Sequence, residues 1–345
     1  METIKIDVLD KSDFPKLAQA GEMLRQGRLV AFPTETVYGL GGNALDPNAS
    51  KKIYAAKGRP SDNPLIVHIS TPEEAEKYCI TSPMYYKLAD KYMPGPLTVI
   101  LPKKKVDGVS VIPKETSGGL DSVAVRCPAD PIANALIKEA GVPIAAPSAN
   151  KSGSPSPTTA KHVLDDLDGR IDAVIDGGEA VFGLESTVIR LDNDTIYLLR
   201  PGAVTAEQLS EFTDNLIIAA EEIKPDEKPL SPGMKYKHYA PQKPLFLLEG
   251  EYANIIDFIK NKQVTENCAV ICYEEDISTL TSKNLIVLGK RSDLSTQAHR
   301  LFDCLRKCDE TDADVIYAHL PPKEGIGLAL YNRLIRAAGH KIINL

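Results

Sequence analysis

Eight short apolar runs punctuate the first two thirds of the chain, and most of them begin or end in a polar cluster. They are Leu29–Phe32, Leu65–Ile69, Leu97–Leu101, Ser122–Val125, Ile144–Ala146, Ala173–Asp176, Ser186–Leu191 and Thr195–Leu199. Runs this short are strand-sized rather than helix-sized. Helical patterns lie between them, at Phe14–Gln26, Ser50–Ala56, Pro72–Tyr78, Pro83–Tyr92, Pro131–Ala140 and Ala160–Leu167. Ser50 and the prolines read as helix starts, and Gly141 as a helix end. So many strands interleaved with helices predict an α/β fold with one large, mixed, twisted sheet.

Residues 219–244, rich in Pro, Lys and Glu, break that pattern and carry no period. They read as a linker. The alternation then restarts, with strands at Leu245–Leu248, Cys268–Tyr273, Asn284–Leu288 and Asp314–His319 around helices at Tyr252–Lys260, Asp293–Lys307 and Leu328–Ala338. That is a smaller doubly wound, Rossmann-like sheet. A length of 345 residues suits two such cores. The predicted division is 1–215 for the first domain, 216–244 for the linker and 245–345 for the second.

The polar clusters of the first domain share one chemistry. Lys57, Arg59, Arg126 and Arg200 are cations at or beside strand ends. Thr34, Thr36, Ser61, Ser122, Ser148, Ser152, Ser156, Ser186 and Thr187 bring hydroxyls, Asn63 and Asn150 bring amides, and His68 lies within its strand. Strands sharing a sheet would bring these groups to one crevice, where open α/β sheets bind ligands. Such a set suits a multiply anionic ligand, with arginine forks pairing carboxylate or phosphate. Each cluster alone also reads blandly: paired surface arginines, turn-forming serines, a hydrogen-bonded core histidine. Their recurrence in one domain is what favours a site.

Other chemistries find little support. No P-loop, G-x-G-x-x-G or G-x-S-x-G pattern is present, and the G-x-G before the last helix is a weak signal. Cys268/Cys272 and Cys304/Cys308 each share a face of one element and read as small buried hydrophobes, not zinc ligands. A net charge of −7 and no tryptophan argue against a protein that coats nucleic acid. Scattered cysteines, no signal-peptide pattern and no apolar run near the ~20 residues of a membrane span predict a cytoplasmic protein without membrane contact.

In this order, "PTETVYGLG", "KGRPSDNPLIVHI", "PGPLTVIL", "VAVRCP", "PSANKSGSPSPTT", "GLESTVI" and "LRPG" resemble the YrdC-type domain. The later "SPGMKYKHYAP" resembles the linker of the two-domain members, the L-threonylcarbamoyladenylate synthases. The resemblance implies an ATP-dependent nucleotidyltransferase. L-threonine and bicarbonate or CO2 would give a carbamate that attacks the α-phosphate of ATP. Pyrophosphate leaves, and a partner complex carries the threonylcarbamoyl group to tRNA. The resemblance further implies that Thr36, His68, Arg126, the backbone of Ala146 and Ser186 surround threonine. Lys57, Arg59 and Asn63 would meet the phosphates, with Lys57 and Arg59 as the catalytic cations. Ser122, Ser148, Ser156 and Arg200 would contact the nucleotide, Asn150 would support their loop, and Tyr236 of the linker would close over the site. Mg2+ is expected with ATP, its ligands unknown, and the role of Asp62 and direct tRNA binding stay open. Two alternatives remain at this point: a non-catalytic RNA-binding or ribosome-associated module, and a related carbamoyltransferase.

Overall fold

The computed structural model of the chain describes residues 2–219 and 239–345. The described residues form two compact units. One holds residues up to 219 except 153–155 and 182–184, and the other holds those two short segments with residues 239–345.

In the first unit the strands are β1 Ile4–Asp7, β2 Val30–Phe32, β3 Gly39–Asn43, β4 Ile66–His68, β5 Leu97–Pro102, the small hairpin β6 Lys105–Val106 and β7 Val109–Ser110, β8 Ser122–Arg126, β9 Ile144–Ala145, β10 Ala173–Asp176, β11 Thr187–Asp192, β12 Thr195–Arg200 and β13 Leu216–Ile218. All but the hairpin join one sheet of eleven strands, in the order β1-β10-β2-β3-β9-β4-β8-β5-β11-β12-β13. Parallel and antiparallel pairs alternate irregularly across it, so the sheet is mixed as expected.

The helices of this unit are α1 Leu17–Arg25, α2 Pro47–Lys57, α3 Ala75–Tyr78, α4 Pro83–Tyr92, α5 Pro131–Ala140, α6 Ala160–Leu167 and α7 Ala206–Ser210. The helix expected over Phe14–Gln26 begins as a tighter turn at Lys11–Lys16 before α1. One expected start moves: α2 begins at Pro47, not Ser50, because the Asp46 side chain accepts from the Asn48 N–H and Pro47 supplies the first-turn geometry. Ser50 instead lies inside the helix, its hydroxyl 2.8 Å from that of Thr116. Helices α1 and α5 cover β1, β2, β9 and β10 through Leu17, Met23, Leu24, Leu136 and Ile137. Each such side chain contributes about 1.5–3 kcal/mol on burial.

Six strands lie outside the sequence reading: β1, β3, β6, β7 and β13 in this unit, and Ile342–Asn344 in the other. Two of them are instructive. Gly39–Asn43, with three glycines, has poor strand propensity, yet it pairs with β2 and β9. Leu216–Ile218 pairs in parallel with β12, so the first residues of the expected linker form the sheet edge.

The second unit is a five-stranded parallel sheet. Its strands are β14 Leu245–Glu249, β15 Cys268–Tyr273, β16 Leu285–Gly289, β17 Val315–His319 and β18 Ile342–Asn344, in the order β16-β15-β17-β14-β18. Its helices are α8 Tyr252–Thr265, α9 Leu294–Glu310 and α10 Ile326–Ala337. Ile255, Ile256 and Ile259 of α8 pack on Cys268, Val270 and Cys272. Every residue of β15 is buried, so both of its faces are covered, as a doubly wound sheet requires. All six cysteines of the chain are free and buried, in keeping with their reading as small hydrophobes.

Candidate active site

The register of the large sheet sets three of the predicted residues, His68, Arg126 and Arg200, in one row. Ile144 of β9 stands opposite His68 of β4, His68 opposite Arg126 of β8, Arg126 opposite Thr98 of β5, Thr98 opposite Val188 of β11, and Val188 opposite Arg200 of β12. Residues directly opposite one another share a sheet face. At a strand spacing near 4.8 Å, the row from His68 to Arg200 spans about 19 Å. Ser122 lies on the face of β8 that carries Arg126, four residues earlier, and is half-buried. Ile66, Ala124, Ile100, Val188 and Leu199 form an apolar floor among these polar groups.

Arg126 is 4 % exposed and Glu35 6 %. Arg126 Nη2 lies 2.8 Å from Glu35 Oε1. The N–H is not aligned on that oxygen, so both atoms are buried without a hydrogen bond. The guanidinium also donates from Nε to the Gly95 carbonyl at 3.4 Å. Burial pushes the Glu35 carboxyl up, but the Arg126 charge and contact outweigh it and hold the group below its ordinary value. His68 is fully buried. Burial first, and then the Arg126 charge, lower its pKa to about 3, so the ring is neutral at working pH. Its Nδ1 faces the Ile66 carbonyl at 3.2 Å. Thr36 is buried with its hydroxyl 2.8 Å from that of Thr34.

At the other end of the row, Arg200 donates from Nε to the Ser186 carbonyl at 3.0 Å and from Nη2 to the Ser186 hydroxyl at 3.1 Å. That hydroxyl lies 2.7 Å from Thr98 Oγ1. Ser156 donates to Glu185 at 2.5 Å. Gly202 explains the glycine of "LRPG": a Cβ there would stand 2.5 Å from the Thr187 N and 2.8 Å from the Glu185 carbonyl. The bare backbone lets this turn press against the segment that carries Ser186.

The cationic loop is built at the end of α2. Gly58 takes a left-handed conformation, φ 63°, and its N–H caps the helix on the Ala55 carbonyl. The Lys57 ammonium, 3 % exposed, donates to the carbonyls of Ser148 and Asn150, and the Ser152 N–H bonds back to the Lys57 carbonyl at 2.9 Å. Arg59 folds onto Asn63, donating to its side-chain oxygen at 2.6 Å and to the Pro64 carbonyl at 3.1 Å. The Ser148 hydroxyl donates to Asn150 Oδ1 at 2.5 Å. The Ala146 N–H is used within the sheet, on the Ile66 carbonyl.

Lys57, Ser148 and Asn150 thus form one hydrogen-bonded group, Arg59 and Asn63 a second, and Ser186 and Arg200 a third, while His68 and Arg126 stand side by side on adjacent strands. Tyr236 lies outside the described residues. Glu35, Thr98 and Glu185 were not singled out in the sequence, although "PTET" and "GLEST" contain two of them. A carboxylate adjoining a hydroxyl in each motif was the available signal. Among the described residues there is no group of three His, Cys, Asp or Glu placed to hold a metal ion, and no helix long and apolar enough to cross a membrane. A groove of about 550 Å3 lined by Phe14, Ser70, Pro94, Pro128, Asn134 and Lys138 contains none of the predicted residues.

Known proteins are similar to this chain over nearly its whole length. Residues 22–202 match the Sua5/YciO/YrdC family model, described as "Telomere recombination". Residues 204–339 match the model described as "Threonylcarbamoyl-AMP synthase, C-terminal domain". A threonylcarbamoyl-AMP synthase of Bacillus subtilis is 47 % identical over 98 % of both chains. That of Pyrococcus abyssi is 43 % identical over 99 % of this chain and 100 % of its own. The crystal structure of P. abyssi Sua5 complexed with L-threonine superposes with a TM-score of 0.91, covering 99 % of this chain and 100 % of that one, at 43 % identity.

Proposed function

The chain belongs to the Sua5/YrdC family of threonylcarbamoyl-AMP synthases, and from that premise we propose that it makes L-threonylcarbamoyl-AMP from L-threonine, bicarbonate or CO2, and ATP, releasing pyrophosphate. It is a nucleotidyltransferase acting in the cytoplasm, and a transfer complex passes its product to tRNA adenosine. The observation that carries the reading is the row of His68, Arg126, Thr98 and Arg200 across the sheet, two of its members being buried guanidinium groups. The full-length likeness to synthases favours catalysis over a non-catalytic RNA-binding module.

The threonine carboxylate pairs with Arg126, whose fork has donors not aligned on any protein acceptor. Neutral His68 and the hydroxyls of Thr36 and Ser186, with the Ala146 backbone, surround the rest of the amino acid. The threonine ammonium gives up a proton to solvent, and the neutral amine adds to CO2 and releases a second proton to solvent, giving a carbamate. A carbamate oxygen then forms the bond to the α-phosphorus as the bond to pyrophosphate breaks. The nucleophile is already anionic, so the site has to align the reactants, exclude water and stabilise the leaving group. Lys57, Arg59 and Asn63 serve the phosphates. Ser122, Ser148, Ser156 and Arg200 serve the nucleotide, with Tyr236 of the linker closing over it. The phosphate-side donors are cationic or neutral and include no carboxylate set, so they do not fit a protein-held Mg2+. An ion arriving with ATP would be carried by the phosphates themselves.

The test is pyrophosphate release from ATP by the full chain. Release that requires both threonine and bicarbonate is expected. Tight binding of structured RNA with no such release would favour the RNA-binding module.

A further inference from the structure

The geometry points to Glu35 as a positioning residue that holds Arg126 and makes the amino-acid end of the site select a zwitterion. The inference rests on the threonine reading above and names what that reading leaves unassigned. Glu35 and Arg126 form a buried pair whose facing atoms, 2.8 Å apart, lack an aligned hydrogen bond. Two opposite charges taken out of water are costly unless additional partners satisfy them. Here each has few well-aligned ones: the Gly95 carbonyl at 3.4 Å for Arg126, and for Glu35 the Asp130 N–H at 3.4 Å with the backbone N–H groups of Ala129 and of Glu35 itself beside it. Long contacts on both sides of a short ionic one describe a pair that is electrically balanced but under-bonded.

A free amino acid carries the same two charges in reverse. Its carboxylate completes the guanidinium fork, and its ammonium meets the Glu35 carboxylate, so each protein group gains a partner and net charge is unchanged. A ligand with a carboxylate alone would place a second anion beside Glu35 and compete with it for Arg126. Held below its ordinary pKa chiefly by the neighbouring cation, Glu35 is ionised at working pH and able to impose that penalty. Neutral His68, next in the row, adds no charge that would alter the balance.

The experiment compares L-threonine with 3-hydroxybutyrate, which keeps the carboxylate and hydroxyl but lacks the amine, by calorimetric titration of the full chain. Wild-type protein is expected to prefer threonine by about tenfold or more. Glu35→Gln is expected to weaken threonine by about tenfold and to leave 3-hydroxybutyrate unchanged or tighter, with ATP affinity and melting temperature near wild type. Equal weakening of both ligands would mean that Glu35 acts only as structural support and would overturn the inference, as would no change in either. Should Glu35→Gln fail to fold, the wild-type comparison decides alone: absence of a preference for threonine overturns the inference. Failure of wild type to bind threonine at all removes the parent reading, a result distinct from each of these.

Discussion

The two units each bury an acidic group beside a basic one, and they complete it differently. In the second unit Asp276 is fully buried, and its carboxylate takes the Tyr252 hydroxyl, the Tyr273 N–H at 2.8 Å and His319 Nε2 at 3.2 Å. Tyr252 and Tyr273 also stack on the His319 ring. The Asp276 oxygens are satisfied within the unit. Burial works to raise its pKa, but the bonds from His319 and Tyr252 outweigh that and hold the carboxyl below its usual range. In the first unit Glu35 and Arg126 meet without alignment, and the other partners at hand, the Gly95 carbonyl and the Asp130 N–H, stand off at 3.4 Å. A saturated buried network rigidifies a fold, and an unsaturated one is costly until something fills it. On the reading proposed above, the difference separates a structural knot from a ligand site, although both are built from similar side chains.

Substitutions should split along that line. Lys57→Ala, in the first unit, is expected to lower turnover by about 100-fold or more, measured as threonine-dependent pyrophosphate release, while the chain stays folded. Asp276→Ala should do the reverse. Removing the acceptor strands Tyr252, Tyr273 and His319, at a cost of about 3 kcal/mol in denaturant unfolding, with turnover unchanged where the variant is folded. Turnover that falls as far in Asp276→Ala as in Lys57→Ala would erase the distinction.

Acid titration sharpens it further. The unfolded chain protonates His68 near pH 6.5, whereas the folded chain does so only near 3. Between those values the unfolded state binds the extra proton, so this contribution is present above about 6.5 and drains away as pH falls. For Asp276 the folded value is depressed, so its contribution is present above the ordinary carboxylate range of about 4 and is lost only below it. Melting temperatures between pH 7.5 and 5 should therefore decline less steeply in His68→Asn than in wild type, and Asp276→Ala should keep the wild-type slope. The smallest effect belongs to the surface. Lys161→Ala, at an ion pair with Asp165 whose side chains are 74 % and 48 % exposed, should change unfolding free energy by no more than about 0.5 kcal/mol.

What the sequence disclosed follows from how local each signal is. Strand-sized apolar runs and helix caps depend on near neighbours, so β5, β8, α4 and α5 appear close to where their patterns place them. β3 was hidden because its glycines pair only in the company of β2 and β9. The cations and hydroxyls of the first unit were visible as types, but their alignment depends on register between distant strands. Thr98 meets Ser186 across 88 positions, and no local pattern carries that pairing. Glu35 stayed unnoticed for the same reason, since it lies in the bend between β2 and β3 and its meaning lies in Arg126, on the distant strand β8.

The row across the large sheet also bears on how the protein is made. β11 and β12, which bring Ser186 and Arg200, are among the last strands of that sheet to be synthesised, and β11 docks on β5 far upstream. A ribosome that has not yet released Thr187–Arg200 holds a nascent chain with one flank of the row missing. Premature stops anywhere before that point should therefore yield inert polypeptide rather than a slow enzyme.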